Sequence, residues 1–193
     1  MFTGIIEATG EVIRIEKRGE ITNMFIRSPI SSGLKPDQSV AHDGVCLTVV
    51  SIEQGSHQVQ LVEETLRRSH LGEVKEHDVL NLERSMPAQG RFEGHIVQGH
   101  VDCVAELIAV EHGLHVFQYP SRYAKYLVEK GSVSINGVSL TIASLSDDTL
   151  KVALIPHTLA HTNLGSLQPG MHVNMEFDIL AKHIVRMMEL REQ

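Results

Sequence analysis

Short runs of alternating apolar and polar residues cover most of the 193-residue chain. In the first half these runs are EVIRIEK, NMFIRS, CLTVVSIEQ, HQVQLVEE and VLNLE, and Asp-Gly, Gly-Ser and Pro-Asp turns punctuate them. The second half continues with HVDCVAELIAV, HVFQYP, GSVSI, VSLTIASL, LKVALIP and HVNMEF. A two-residue period with many β-branched residues predicts short β-strands, while SRYAKYLVEKG and HTLAHTNLG are typical of short helices between them.

The strands form two similar sets because the chain repeats itself. SVAHDGVCLTVVS (39–51) matches SVSINGVSLTIAS (132–144), and the same offset of 93 residues places ETLRRSHLG (64–72) on HTLAHTNLG (157–165). The start repeats at a slightly different offset, with MFTGII placed on RFEGHI, so that Phe2 meets Phe92 and Gly4 meets Gly94. A single repeat of this length predicts a duplicated domain rather than a solenoid.

About six short strands in each half suit a small antiparallel barrel, because a closed sheet has no exposed edges. We therefore predict an all-β fold of two tandem six-stranded antiparallel Greek-key barrels, produced by internal duplication and followed by a C-terminal α-helix. The predicted domains are residues 1–88, 89–178 and 179–193. The seam falls near SMPAQGRFEG (85–94), where Pro87 and Gly90 mark a loop.

The last segment, DILAKHIVRMMELREQ, breaks the strand pattern and has no counterpart in the first half. It contains good helix formers and no Gly or Pro, and Asp178 is a suitable N-cap. An apolar stripe follows the helical spacing along Leu180, Ile184, Met187, Met188 and Arg191. This stripe either packs on its own barrel or forms a contact between subunits, and the sequence favours neither.

Composition and charge narrow the class of protein. The net charge of −7 argues against nucleic acid or an anionic membrane as main partner, because both need a surplus of Lys and Arg. No apolar run approaches the roughly 18 residues that cross a bilayer. The N-terminal stretch lacks the basic start of a signal peptide. Two cysteines, Cys46 and Cys103, make no disulfide framework, so we expect a cytoplasmic protein.

Polar residues suited to ligand binding are concentrated in the two repeated segments, 39–51 and 132–144. Cys46 and Thr48 lie two residues apart and share one face of a strand, as Ser139 and Thr141 do in the second copy. Buried hydroxyls bonded to backbone are common. A duplicated set without the Arg or Lys that a phosphate demands nevertheless predicts two similar pockets for a polar, neutral ligand. The repeated helical turn adds two further hydroxyls, those of Thr65 and Thr158.

Histidine distribution adds one asymmetry and no metal site. His157 and His161 stand four residues apart, but no third ligand lies near them in the sequence, so no metal is predicted. GHIVQGHVD (94–102) carries His95 and His100, whereas its first-half counterpart, GIIEATGEV, has no histidine. Histidine moves protons near neutral pH, although a bare histidine pair is more often structural than catalytic.

At these residues the sequence resembles the α-subunit type of riboflavin synthase over essentially its whole length. The motifs that carry the resemblance, in the family's order and spacing, are MFTGIIEATG, SVAHDGVCLTV, NLERSM, EGHIVQGHVD, KGSVSINGVSLTI and IPHTL. The resemblance implies a transferase that dismutates two molecules of 6,7-dimethyl-8-ribityllumazine into riboflavin and 5-amino-6-(D-ribitylamino)uracil, without cofactor or metal. It also implies a homotrimer held by the C-terminal helix, with each active site between two subunits. A lumazine synthase shell around that trimer is a further partner that the sequence leaves open.

The resemblance implies a substrate pocket in each barrel. The pocket assigned to the first barrel consists of Gly4, Ile5, Ile6, Cys46, Leu47, Thr48, Gln60, Leu61, Val62, Glu63, Glu64 and Thr65. The pocket assigned to the second barrel consists of Gly99, His100, Val101, Lys130, Ser139, Leu140, Thr141, Leu154, Ile155, Pro156, His157, Thr158 and Leu159. The expected catalytic residues are His100, Cys46, Ser139 and Thr141. The family often has Asp at position 136, so Asn136 puts any role that needs a carboxylate there in doubt.

Three other functions fit the barrels less well. A non-catalytic lumazine- or flavin-binding protein, like the antenna proteins of luminous bacteria, shares the fold, but the joint presence of Cys46, His100 and Ser139 speaks against it. A flavin-dependent reductase would carry an Arg-x-Tyr-Ser motif, and SRYAK lacks it. A pure assembly protein would not need two polar pockets.

Overall fold

The computed structural model describes residues 1–191 and contains two closed antiparallel barrels followed by a helix. The first barrel comprises β1 (Ala8–Arg18), β2 (Ile21–Arg27), β3 (Ser39–His42), β4 (Val45–Glu53), β5 (Ser56–Val62) and β6 (Val79–Arg84). The second comprises β7 (Cys103–Glu111), β8 (Leu114–Gln118), β9 (Ser132–Ile135), β10 (Val138–Leu145), β11 (Thr149–Ala153) and β12 (His172–Phe177). The helices are α1 (Glu63–Arg68), α2 (Pro156–His161) and α3 (Ile179–Arg191).

Both barrels have the same strand order. The first closes as β1-β2-β5-β4-β3-β6 and the second as β7-β8-β11-β10-β9-β12. In each, three hairpin-connected strands are followed by a fourth that returns beside the first of them, which is the Greek-key arrangement. The predicted fold class is therefore confirmed, and alternate residues of each strand fill one apolar core per barrel.

The hairpin turns explain why the repeated segments 39–51 and 132–144 fold in the same way. β3 and β4 are joined by Asp43 and Gly44, with φ of 44° and 77°, and β9 and β10 are joined by Asn136 and Gly137, with φ of 45° and 79°. Positive φ at both central residues is the type I′ geometry, which favours Asn or Asp before Gly. The two turns stand back to back, because a Cβ added at Gly44 would lie 2.7 Å from the Gly137 nitrogen.

A buried polar network joins the barrels around these turns. The Asp43 carboxylate accepts the backbone N–H of Asn81 at 2.7 Å, and the Asn136 side-chain oxygen accepts that of Asn174 at 2.8 Å. The His70 N–H reaches the Asn174 side chain across the seam at 2.7 Å. Asn136 is only 2% exposed, its side chain bonds to Asn174 and Asn163 of its own barrel, and its backbone carbonyl accepts the Asn81 side-chain N–H across the seam at 2.9 Å.

Helix α3 leaves its apolar stripe uncovered in the single chain. Leu180, Ile184, Met187 and Met188 are each more than half exposed. Polar contacts hold the helix on its own barrel instead, through the pairs Lys182–Asp102, at 2.7 Å, and Lys125–Glu189. The last two residues of the predicted 179–193 segment lie outside the described residues.

Candidate active site

Two short segments that precede the barrels lie side by side between them. The backbone N–H of Phe2 donates to the Val97 carbonyl at 2.7 Å, and the Val97 N–H donates back to Phe2 at 3.1 Å. Both side chains are fully buried, whereas Phe92 is half exposed. The structural repeat at the start therefore places Phe2 on Val97, and the sequence match of Phe2 with Phe92 is wrong.

The corrected repeat gives Ile5 and His100 equivalent places. Gly4 and Gly99 share positive φ values of 78° and 81°. The offset is 95 residues here and 93 from β2 onwards, because β1 is two residues longer than β7. The Phe92 match arose because RFEGHI happens to carry Phe and Gly at the right spacing.

Each of these two short segments contacts the repeated sequence segment, 39–51 or 132–144, of the opposite barrel. The N–H of Cys46 on β4 donates to the Gly99 carbonyl at 2.9 Å, and the N–H of Ser139 on β10 donates to the Gly4 carbonyl at 2.8 Å. Val101 packs against the core of the first barrel, and Ile6 packs against the core of the second. The structure thus brings residues 4–6 against the second barrel and residues 99–101 against the first, the reverse of the grouping predicted from the resemblance.

Half-site A is defined here as Cys46 and Thr48 on β4 together with the segment 99–101. Cys46 is half-buried, and Thr48 and His100 are exposed at the surface. A Cβ at Gly99 would lie 2.5 Å from the Cys46 Cβ, so glycine alone lets the segment approach the thiol-bearing residue this closely. His100 and Cys46 thus belong to one half-site rather than to facing ones.

Half-site B is defined as Ser139 and Thr141 on β10 together with residues 4–6. Thr141 is exposed and Ser139 half-buried. The linker between the barrels adds a contact that half-site A lacks, because His95 Nδ1 lies 2.7 Å from Ser139 Oγ. Burial lowers the pKa of His95, and Asp178 nearby opposes this effect. His95 was not among the predicted pocket residues, and its contact with Ser139 is the feature that places it beside half-site B.

A charge difference separates the two half-sites. Lys130 has a φ of 65° and donates its N–H to the Ile142 carbonyl at 3.0 Å, next to Thr141. The equivalent residue of the first barrel is Asp37, with a φ of 69° and the same bond to Val49 at 2.9 Å. The same backbone position therefore offers a cation near half-site B and an anion near half-site A.

The remaining predicted binding residues fall into three groups, which are buried, half-buried or exposed. Leu47, Leu61, Leu140 and Leu154 are buried in the barrel cores, so they can offer a ligand only their backbone. Thr65 on α1 and Thr158 on α2 are half-buried. The exposed members of the strand ends and helical turns are Gln60, Val62, Glu63, Glu64, Ile155, Pro156, His157 and Leu159.

Two buried glutamates hold the crossing segments. Glu176 on β12 accepts the backbone N–H groups of Gln98 at 2.7 Å and of Gly99 and His100 at 2.9 Å each. Burial raises the pKa of Glu176 to about 7, although these donors and Lys182 oppose the rise. Glu176 was not among the predicted site residues, although the repeat offset of 93 places Glu83 on Glu176.

Glu83 on β6 is the equivalent carboxylate of the first barrel. It accepts the N–H and hydroxyl of Thr3 at 2.7 and 2.8 Å and the Gly4 N–H at 3.0 Å. Burial raises its pKa as well.

Within residues 1–191, no group of three His, Cys, Asp or Glu side chains is arranged to hold a metal ion. The rings of His157 and His161 stack with centroids 4.1 Å apart, without a third ligand beside them. Over the same residues, no helix has the length and apolar character required to cross a membrane.

The matches to known proteins agree with the observed fold and with the internal repeat. The family model of the lumazine binding domain matches twice, over residues 3–85 and 98–178. Its two starting points differ by 95 residues, in agreement with the structural repeat of the crossing segments. Two closed barrels of this kind, each with a half-site completed by a segment of the other repeat, define a protein built of tandem lumazine binding domains.

Curated relatives narrow this class. The chain is 42% identical to riboflavin synthase of Mycobacterium tuberculosis strain H37Rv, covering 97% of this chain and 98% of that one. It is 40% identical to riboflavin synthase of Actinobacillus pleuropneumoniae, covering 95% and 88%. The chain belongs to the riboflavin synthase family. A solved structure of LumP with riboflavin matches with a TM-score of 0.82 and 26% identity, covering 92% of this chain and 99% of that one.

Proposed function

We propose that this chain dismutates 6,7-dimethyl-8-ribityllumazine, as the name of its relatives implies. One substrate molecule transfers a four-carbon unit to another, which yields riboflavin and 5-amino-6-(D-ribitylamino)uracil and makes the enzyme a transferase. The reaction needs neither an added cofactor nor a metal. Membership of the riboflavin synthase family, at about 40% identity over nearly the whole chain, supports this proposal.

The observation that carries the proposal is the pair of crossed half-sites. A reaction between two identical molecules requires two similar binding sites, and half-sites A and B have the same backbone frame. The two molecules must then act differently, one as donor and one as acceptor. The two half-sites differ in side chain at two equivalent positions: Cys46 of half-site A corresponds to Ser139 of half-site B, and His100 corresponds to Ile5.

We assign the chemical roles by residue type. The C7 methyl group of the substrate is acidic because its anion is delocalised over the ring system. His100 relays this proton, since histidine is the side chain that accepts and donates protons near neutral pH. Cys46 and Ser139 contact the two bound molecules, and Thr48 and Thr141 bind their polar groups. Lys130 and the strand ends 60–65 and 154–159 complete the binding surfaces.

The proposed assembly is a homotrimer in which half-site A of one subunit faces half-site B of the next. The open position of both half-sites and the exposed stripe on α3 support it. Ile184→Asp places a charge in that stripe, and we expect it to dissociate the trimer, because an unpaired charge in an apolar contact costs several kcal/mol. Sedimentation that shows a wild-type monomer would refute this assembly. We also propose a cytoplasmic location, in keeping with the two free cysteines.

Incubation of the pure protein with 6,7-dimethyl-8-ribityllumazine alone tests the proposed function. Riboflavin absorbance should appear with one riboflavin for two substrate molecules, and EDTA should not change the rate. Binding of the lumazine without conversion would instead identify a non-catalytic lumazine-binding protein of the same fold.

A further inference from the structure

The segment that carries His100 is held in place by one buried carboxylate. Glu176 is 2% exposed, and its Oε1 accepts the Gln98 N–H while Oε2 accepts those of Gly99 and His100. Three successive backbone donors on one carboxylate fix both the position and the direction of this short stretch. On the other side, the Gly99 carbonyl is bonded to the Cys46 N–H.

We propose that Glu176 is the positioning residue that sets the place of His100 beside Cys46 for the reaction. This inference rests on the proposed function, because it gives Glu176 a role in the chemistry of half-site A. The hydrogen bonds of Glu176 go to the backbone N–H groups of residues 98–100, so it acts through the backbone of this segment.

Glu83, the equivalent residue of the first barrel, serves as an internal control for the role of Glu176. It is similarly buried, at 4% exposed, and it binds the segment 3–5 in the same manner. That segment carries Ile5 in place of His100, so it has no titratable side chain to position. If both glutamates had a purely structural role, substitution of either one should affect the reaction rate to a similar extent. If Glu176 positions His100, the effects of the two substitutions should differ.

Substitution by glutamine removes the relevant acceptor with little change in volume. Glutamine keeps one oxygen and turns the other atom into an N–H donor, so either Gln98 or the pair Gly99 and His100 loses its acceptor. The new donor then faces a backbone donor. Loss of a defined position at a reacting group reduces rates roughly ten- to a hundredfold, even when the substituted residue is remote from the chemistry.

The experiment compares Glu176→Gln with Glu83→Gln in the full chain, each with and without His100→Ala. We expect Glu176→Gln to lower kcat about tenfold or more with little change in KM, and to have less than a twofold effect once His100 is alanine. Glu83→Gln should have the same effect in both backgrounds. Equal losses from Glu176→Gln with and without His100 would overturn the proposal.

Amide hydrogen exchange followed by mass spectrometry provides a readout that does not depend on activity. Glu176→Gln should increase exchange in peptides covering 98–100 and leave 3–5 unchanged, and Glu83→Gln should do the reverse. Unchanged exchange at 98–100 would overturn the proposal. If Glu176→Gln does not fold, Glu176→Asp, which withdraws the carboxylate by one methylene, takes its place in both measurements. Absence of riboflavin formation by the wild type would refute the proposed function, and the exchange pattern would still show whether Glu176 holds the segment.

Discussion

The two barrels have the same strand order but differ in the side chains that they bury in their interiors. In the first barrel, His42 Nε2 lies 2.8 Å from His57 Nε2, and His57 Nδ1 lies 2.8 Å from the Ser31 hydroxyl. Both imidazoles are fully buried. The second barrel has Ile135 and Leu150 at the equivalent positions, and both are core residues. Duplication thus preserved the strand order while the interiors diverged, so the barrels should respond differently to acid.

The largest expected effect is a loss of stability of the first barrel in acid. Burial, together with the proximity of His57, lowers the pKa of His42 to about 3, and burial lowers the pKa of His57 to about 4. The unfolded chain therefore binds protons below pH 6.5 that the folded chain does not, and stability falls as pH falls. At pH 5 this costs roughly 2 kcal/mol for each histidine.

The variant H42I/H57L gives the first barrel the residues of the second and should remove this pH dependence. Urea unfolding of both proteins between pH 7.5 and 5 measures the difference. Parallel stability curves for the variant and the wild type would show that the histidine pair does not govern the acid response.

A smaller but still large effect is expected at the crossing segment. Gly99→Ala adds a Cβ within 2.5 Å of the Cys46 Cβ at a φ of 81°, and both the contact and the backbone conformation are unfavourable. We expect a loss of about 3 kcal/mol or more in the free energy of unfolding. Gly113 has the same φ of 81° but nothing within 4 Å, so Gly113→Ala should cost only about 1 kcal/mol and serves as the matched control. Equal losses in the two variants would contradict the close approach at Cys46.

The smallest effect concerns the contact that only half-site B has. His95→Ala removes the partner of the Ser139 hydroxyl, and a hydrogen bond of this kind is worth about 1 kcal/mol. We therefore expect up to about fivefold weaker lumazine binding at half-site B, measured by fluorescence titration of a Cys46→Ala background in which half-site A is impaired. Unchanged affinity in that background would show that His95 does not act on Ser139.

The sequence predicted the fold well because the two signals behind it are local. Alternation of apolar residues identifies strands, and the turns Asp43–Gly44 and Asn136–Gly137 fix equivalent hairpins. The site was predicted only in part. Cys46, Thr48, Ser139 and Thr141 stand out within their own repeats, but the crossing of residues 4–6 and 99–101 is a contact between repeats. No period or motif reports such a contact.

Two details of the structure explain the errors. Strand β1 is two residues longer than β7, which changes the offset of the repeat from 95 before this strand to 93 after it, and Gly94 was therefore matched in place of Gly99. The buried glutamates at 83 and 176 read as ordinary strand ends, because the donors that they bind are backbone N–H groups and leave no mark in the sequence.

Complementation between impaired chains tests whether the half-sites are crossed. His100→Ala impairs half-site A and Ser139→Ala impairs half-site B, so a reassembled equal mixture should have both halves intact at about a quarter of its intersubunit sites. His100→Ala mixed with Cys46→Ala should regain no activity, because both changes lie in half-site A. Subunit exchange is verified by mass spectrometry of the mixed trimers. Recovery in the His100 and Cys46 mixture, without recovery in the His100 and Ser139 mixture, would show that His100 and Cys46 lie in different half-sites.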